Sequence, residues 1–201
     1  MSRSPRALAP VLATLCLGLA PARSLPAQAP APPEHIAVLD IELNNLTKDP
    51  DDPADRPRLA RLTTALRRTL HEACGYEVVS VDSTAARAAS SAADYLYAHP
   101  DVAAGLAAPG GAGWVVIPRL NRVSPWITDL QAHVARVPSG EIVSNRVVEL
   151  KGFGMNPDLT ARLTERGAAW MADQIDQVIV WNLSGGHPGV RHCSSAVRPA
   201  E

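Results

Sequence analysis

Apolar and polar positions follow different periods along this chain, and the changes of period divide it into elements. His35 to Leu43 (HIAVLDIEL) opens as a near-continuous apolar run with β-branched residues, the pattern of a buried strand. Leu59, Leu62, Leu66 and Leu70 then recur at helical spacing and predict an amphipathic helix from Pro57 to Cys74. Pro57 suits its first turn and Gly75 its C-terminal cap. Tyr76 to Val81 (YEVVSV) reads as a second strand. Asp82 or Ser83 then caps an alanine-rich helix that reaches Tyr97, and His99-Pro100 separates it from a short helix over Asp101 to Ala108.

Trp114 to Arg122 (WVVIPRLNR) is the next strand. Pro118 within it calls for an edge position or a bulge, because proline cannot donate to a ladder. From Trp126 to Val137 the alternation is regular: Trp126, Leu130, Ala132 and Val134 point one way, Ile127, Asp129, Gln131 and His133 the other. Pro138-Ser139-Gly140 makes a turn, and Glu141 to Leu150 returns antiparallel. Asn156 and Pro157 start a last helix whose buried stripe is Leu159, Leu163, Gly167, Trp170, Met171, Ile175 and Val178. Helical crossovers imply parallel pairing early in the chain, and hairpins imply antiparallel pairing later. The expected fold is α/β of the mixed α+β kind, a single mixed sheet of about five strands packed against helices in the order β-α-β-α-α-β-β-β-α.

The N-terminus carries a different signal. Arg3 and Arg6 precede an uncharged apolar stretch, Ala7 to Ala20, followed by prolines and small residues, which is the three-part pattern of a secretory signal peptide. The stretch is too short for a permanent transmembrane helix, and no later apolar run is longer. Cleavage after Ala22, Ala27 or Ala29 is left open, with Pro30 opposing the last. Leu15 before Cys16 argues against a lipoprotein. The expected organisation is a signal peptide over 1–29, a proline-rich linker over 30–34, one domain over 35–181 and a flexible tail over 182–201. In a Gram-negative bacterium the exported chain would be periplasmic, with no integral membrane segment after cleavage.

Composition narrows the partners. The chain has 19 Lys+Arg against 20 Asp+Glu. Loss of Arg3, Arg6 and Arg23 with the signal peptide would leave the acids in excess by four. Such a protein has no bulk-charge attraction for nucleic acid or anionic lipid. Hydrophobic residues at 46% exclude a chain disordered by composition, and a single Phe leaves the core to Val, Leu, Ile and Ala.

Candidate chemistry is sparse. Cys74 and Cys193 form a candidate disulfide in an oxidising compartment, with two free thiols as the alternative. Asp129, Gln131 and His133 form a candidate polar surface row on the outer side of the meander. Asp129 and His133 lie about 13 Å apart along the strand, too far for a catalytic hydrogen bond. Asp40 and Glu42 share one face of the first strand and are candidates for an acid pair near its end, with side chains that simply point to water as the alternative. Asp49, Asp51, Asp52 and Asp55 lack the glycine and glutamate of a calcium loop, and their last acids suit a helix N-terminus instead. Arg58, Arg61, Arg67 and Arg68 read as a solvated helix face. The PGGAG loop over 109–113 lacks the Gly-Lys-Ser/Thr ending of a phosphate loop and precedes a strand. His187, His192 and Cys193 are not held firmly enough for structural zinc, and no serine sits in a G-x-S-x-G context. No catalytic, cofactor-binding or metal-binding residue is assigned, and no cofactor is expected.

The segments HIAVLDIEL, YLYAHPDVAAGLAA, WVVIPRL, LQAHVARVPSGEIV, VVELKG and LTERGAAWMADQI, in that order and spacing, resemble an uncharacterised family of secreted proteobacterial proteins classed as a domain of unknown function. The resemblance covers residues 35–180, with a longer PGGAG connection and with Cys193 outside it. In layout it is similar to the TolB N-terminal domain and to CsgG-like and LpoB-like periplasmic modules. It implies a non-enzymatic accessory domain that binds an envelope protein partner or supports assembly of an envelope component. A small-molecule-binding module is the second reading and an enzyme the third.

Overall fold

A computed structural model describes residues 34–189 and 193. The expected leader over 1–29, the linker up to residue 33, and most of the expected tail, His192 included, lie outside the described residues. The strands are β1 (His35–Val38), β2 (Glu42–Asn45), β3 (Glu77–Val79), β4 (Trp114–Arg122), β5 (Ile127–Arg136) and β6 (Ile142–Lys151). The helices are α1 (Asp55–Glu72), α2 (Ser83–Ala89), α3 (Tyr95–Ala98), α4 (Pro100–Ala107) and α5 (Pro157–Leu183). They build one mixed sheet in the order β3-β1-β4-β5-β6, with β2 also on β4. β3, β1, β2 and β4 run parallel, whereas β4, β5 and β6 form an antiparallel meander. The crossovers and hairpins read from the sequence therefore appear as expected.

The single first strand expected over His35 to Leu43 is broken into β1 and β2. Val38 pairs with Val116 but Glu42 with Arg119, so the first strand holds one residue more than β4 over that stretch. The bulge lies beside Pro118, which cannot donate, so a proline is tolerated in the centre of the sheet. Helix α1 satisfies the groups this break frees. Thr63 Oγ1 accepts the Ile41 amide at 3.1 Å, and Arg67 Nε donates to the Val38 carbonyl at 3.1 Å. The bulge also shifts side-chain parity, so Ile36, Val38, Ile41 and Leu43 all serve the same layer. Asp40 and Glu42 consequently do not act as an acid pair. Asp40 pairs with Arg67 at 3.0 Å, while Glu42 accepts the Asp94 amide at 2.9 Å.

Helices α1 and α5 cover one face of the sheet. Leu62, Leu66 and Leu70 of α1 are fully buried there, as the leucine stripe predicts. On α5, Gly167, Met171, Ile175 and Val178 are buried, but Leu159, Leu163 and Trp170 are only partly so. Those three line a groove beside the outermost strand, β6. On the opposite face, α3 and α4 pack on Ala37, Leu39, Val115 and Ile117.

The one helix expected up to Tyr97 is two. Asp82 caps α2 by accepting from the Thr84 and Ala85 amides, but α2 buries no residue. The chain then turns through Asp94, whose φ of 60° is left-handed, before α3 begins. The β5–β6 turn reaches α4: a Cβ on Gly140 (φ 70°) would lie 2.4 Å from Asp101 Cα. Beyond α5, Cys193 is disulfide-bonded to Cys74 and is 6% exposed within the main core.

Candidate functional site

The bulge and the left-handed Asp94 together bring α3 down onto the sheet face opposite α1 and α5. Strand register aligns Glu42, Arg119, Gln131 and Val147 in one row across β2, β4, β5 and β6, and Ile117, His133 and Asn145 in the next. Tyr97 of α3 lies over these rows. Its ring stacks on His133 at 3.9 Å between centroids, and the Arg119 guanidinium sits 3.8 Å from its centroid. Its hydroxyl lies 3.3 Å from Asn145 Oδ1 and 3.5 Å from Gln131 Oε1. Arg119 donates to Gln131 at 3.1 Å and pairs with Asp94 at 3.0 Å.

The row of Asp129, Gln131 and His133 is therefore not an open, solvated surface along its length. Gln131 and His133 are half-buried in contact with Tyr97, and only the Asp129 end extends beyond that contact, opposite Asn121 and Glu149. Alternation shows which side a strand residue faces but not what later lands on it. Sequence reasoning thus missed Tyr97, Arg119 and Asp94. The signal that could have found them was Asp94 itself, a turn-favouring residue inside an alanine-rich run.

Burial lowers the His133 pKa, with the Arg119 charge acting in the same direction and a hydrogen bond with the Tyr97 backbone opposing it. Burial likewise raises the Tyr97 hydroxyl. His133 Nδ1 itself is buried without a hydrogen bond among the described residues. Chemically the cluster is an imidazole, an aromatic ring and an ion-paired guanidinium that fasten α3 to the sheet.

The basic face of α1 is largely consumed within the chain. Arg58 pairs with Asp52 at 2.8 Å and Asp55 at 3.1 Å, Arg122 with Asp55, Arg67 with Asp40, and Arg68 with Glu165. Three of the four arginines expected to be solvated are thus ion-paired. Asp55, in the first turn of α1, is buried between two of its partners. The Ala54 amide and Arg58 hold the Asp52 carboxyl below its ordinary range. Among the described residues no group of three or more His, Cys, Asp or Glu could hold a metal ion.

Several concave surfaces lie among the described residues, three of them beside these elements. A cleft of about 940 Å³ runs between the β1–β2 break and α1, lined by Ile41, Leu43, Leu59 and the Asp51–Asp55 loop. A smaller one of about 330 Å³ lies between α2 and the sheet, where Glu42, Asp94 and Tyr97 converge. The groove between β6 and α5 encloses about 600 Å³. One end of the sheet also carries Leu46, Val123, Trp126 and Met155, exposed by 60%, 47%, 63% and 48%. Backbone bonds tie these together. Leu46 donates to Arg122 at 3.0 Å, Val123 to Ile127 at 3.0 Å, Gly152 to Trp126 at 2.7 Å, and Met155 to Gly152 at 3.1 Å.

A mixed sheet with helices on both faces, a partly covered polar face and an apolar rim defines a mixed α/β module, the fold class expected from the sequence. The chain belongs to the DUF3280 family, described as a protein of unknown function (DUF2380), whose profile matches residues 34–174. Solved structures similar to it include the LpoB C-terminal domain from Salmonella enterica, at 18% identity and TM-score 0.43, covering 62% of this chain and 87% of that one. Lipoprotein GNA1162 from Neisseria meningitidis is 16% identical at TM-score 0.45, covering 71% of this chain and 99% of that one. TolB from Acinetobacter baumannii is 15% identical at TM-score 0.43, covering 79% of this chain and 30% of that one. No curated protein matches the chain. No helix among the described residues is long and apolar enough to cross a membrane.

Proposed function

We propose that this chain is an exported, non-enzymatic accessory domain that binds a protein partner in the bacterial envelope, with the apolar end of the sheet as part of its contact surface. The observation that carries this reading is the cluster of Leu46, Val123, Trp126 and Met155, four large apolar side chains exposed on segments joined by backbone hydrogen bonds. Clustered exposure of this kind is the mark of an interaction site, and tryptophan is enriched among binding hot spots. The charged-then-apolar N-terminus supports export, and a disulfide supports an oxidising compartment.

A photo-crosslinking residue placed at Trp126 and expressed in the native cell tests this. The expected result is one dominant adduct with an envelope protein that is absent when the same group replaces exposed Arg61. No adduct at Trp126, or equal adducts at both positions, would overturn the reading. The 330 Å³ cleft with its converging Glu42, Asp94 and Tyr97 supports the second reading, a small-molecule module. That reading predicts a metabolite that raises the melting temperature of the wild type but not of Glu42→Gln.

A further inference from the structure

Strand β6 is an outermost strand of the sheet, and among the described residues nothing pairs with its outer edge. It is ten residues long, carries no proline, and exposes Val147. A long unpaired edge is a template for another strand, and proteins that do not use such an edge usually blunt it. Beside it runs the apolar groove against α5, with Leu163 and Trp170 on its far wall.

Two side-chain donors beside this edge lack acceptors. Arg146 Nε and Trp170 Nε1 are both buried without a hydrogen bond among the described residues. Arg146 points to the α5 side of β6, by its register with Ala132, and lines the hollow shared with Gln177 and Trp181. Arg166 lies over the Trp170 ring at 5.6 Å. Neither arginine is in an ion pair among the described residues, whereas the one acid of β6, Glu149, is already paired with Lys151 at 3.1 Å. The edge is therefore cationic towards α5. At its far end it meets the apolar patch, because Gly152, next after β6, donates to Trp126.

We propose that the free edge of β6 is the docking site for an extended acidic segment of a partner protein, which adds there as a further strand and sets carboxylates against Arg146 and Arg166. The segment alternates. Every second side chain turns towards α5, about 7 Å from the next on that side. Those positions carry the acids and an apolar residue for the Leu163–Trp170 wall, and the intervening positions face Val147. Backbone pairing supplies affinity, and the carboxylates supply orientation and choice of partner. This deepens the partner-binding reading above and rests on it.

The test pans a displayed library of random peptides, long enough to span β6, against the mature disulfide-bonded protein. A synthetic copy of the dominant binder is then compared with a version carrying Lys for each Glu or Asp. The expected binders carry acids at alternate positions and protect the amides of residues 142–151 from hydrogen exchange. Arg166→Glu, at an exposed position, should weaken the acidic peptide roughly tenfold and improve the lysine version. Val147→Pro should abolish both while leaving the melting profile cooperative. Binders that protect another region, affinities indifferent to the charge swap, or an empty selection would overturn the proposal. A single Trp126 adduct beside such a failure would leave the partner reading standing, and β6 protection without any adduct would do the reverse.

Discussion

Tyr76 donates its hydroxyl to the Asp176 carboxylate at 2.8 Å, across 100 residues of sequence and within the core. The same carboxylate accepts the Cys193 amide at 3.2 Å. One fully buried acid thus ties the residue that precedes β3, helix α5 and the chain beyond α5 to one another. Removing a donor from a buried acceptor costs more than a surface bond does. Tyr76→Phe should therefore lower stability by about 1–3 kcal/mol without changing the fold, as read by denaturant titration. A loss within error would mean that the hydroxyl contributes nothing to holding Asp176.

Cys193 was expected on a flexible tail, outside the packed domain. Its place in the core beside Cys74 and Ala172 changes that expectation. A cross-link spanning 119 residues is worth about 4–5 kcal/mol in the chain-entropy model. Cys193→Ser should accordingly cause a large fall in melting temperature, matched by reduction of the wild type. Thiol counting on denatured, unreduced protein checks the premise, and two reactive thiols per chain would remove it.

The leucine periodicity of α1 has the most direct energetic consequence. Leu66 is wholly buried between α1 and the sheet. Leu66→Ala should cost about 2–5 kcal/mol, the range set by how far the site can collapse. An unchanged thermal melt would show that α1 is not packed as described.

What was legible in the sequence divides along physical lines. Burial and pairing direction leave periodic marks, so the leucine helix, the β5–β6 hairpin and the mixed sheet could be read directly. The break at Leu39–Ile41 could not, since it depends on which strand lies beside Pro118, a long-range fact. The polar row was found as residues but mistaken in setting, because the cover over His133 comes from Tyr97, and its approach depends on one left-handed residue, Asp94. The arginines of α1 were seen as a face, yet two of their partners, Asp40 and Glu165, are distant in sequence. The groove beside β6 left no sequence signal, because Leu163 and Trp170 fit the helical stripe whether or not anything covers them.

Gly140 tests the contact between the hairpin turn and α4. Its left-handed backbone costs any other residue about 1–2 kcal/mol, and a Cβ would strike the Asp101 backbone. Gly140→Ala should therefore destabilise by more than the backbone cost alone. Gly75→Ala, left-handed with open space around it, is the control that carries only that cost. Equal losses at the two sites would show that the turn does not touch α4.

His133 gives a pH signature that separates its buried setting from a solvated one. Burial holds its folded pKa below the unfolded value of about 6.5, so the unfolded chain takes up the proton more readily. The contribution of His133 is present in full above about pH 6.5 and is lost as the pH falls through the lower folded value. His133→Gln cannot titrate. Its stability should therefore fall less steeply than that of the wild type from neutral pH down to about pH 5, before the carboxylates begin to protonate. The slope is the informative quantity, because loss of the Tyr97 stack lowers the whole curve at every pH. Parallel curves for the two proteins would return His133 to the open surface row that its sequence position first suggested. Under the partner-binding reading, neither His133→Gln nor Asp129→Ala alters Trp126 crosslinking.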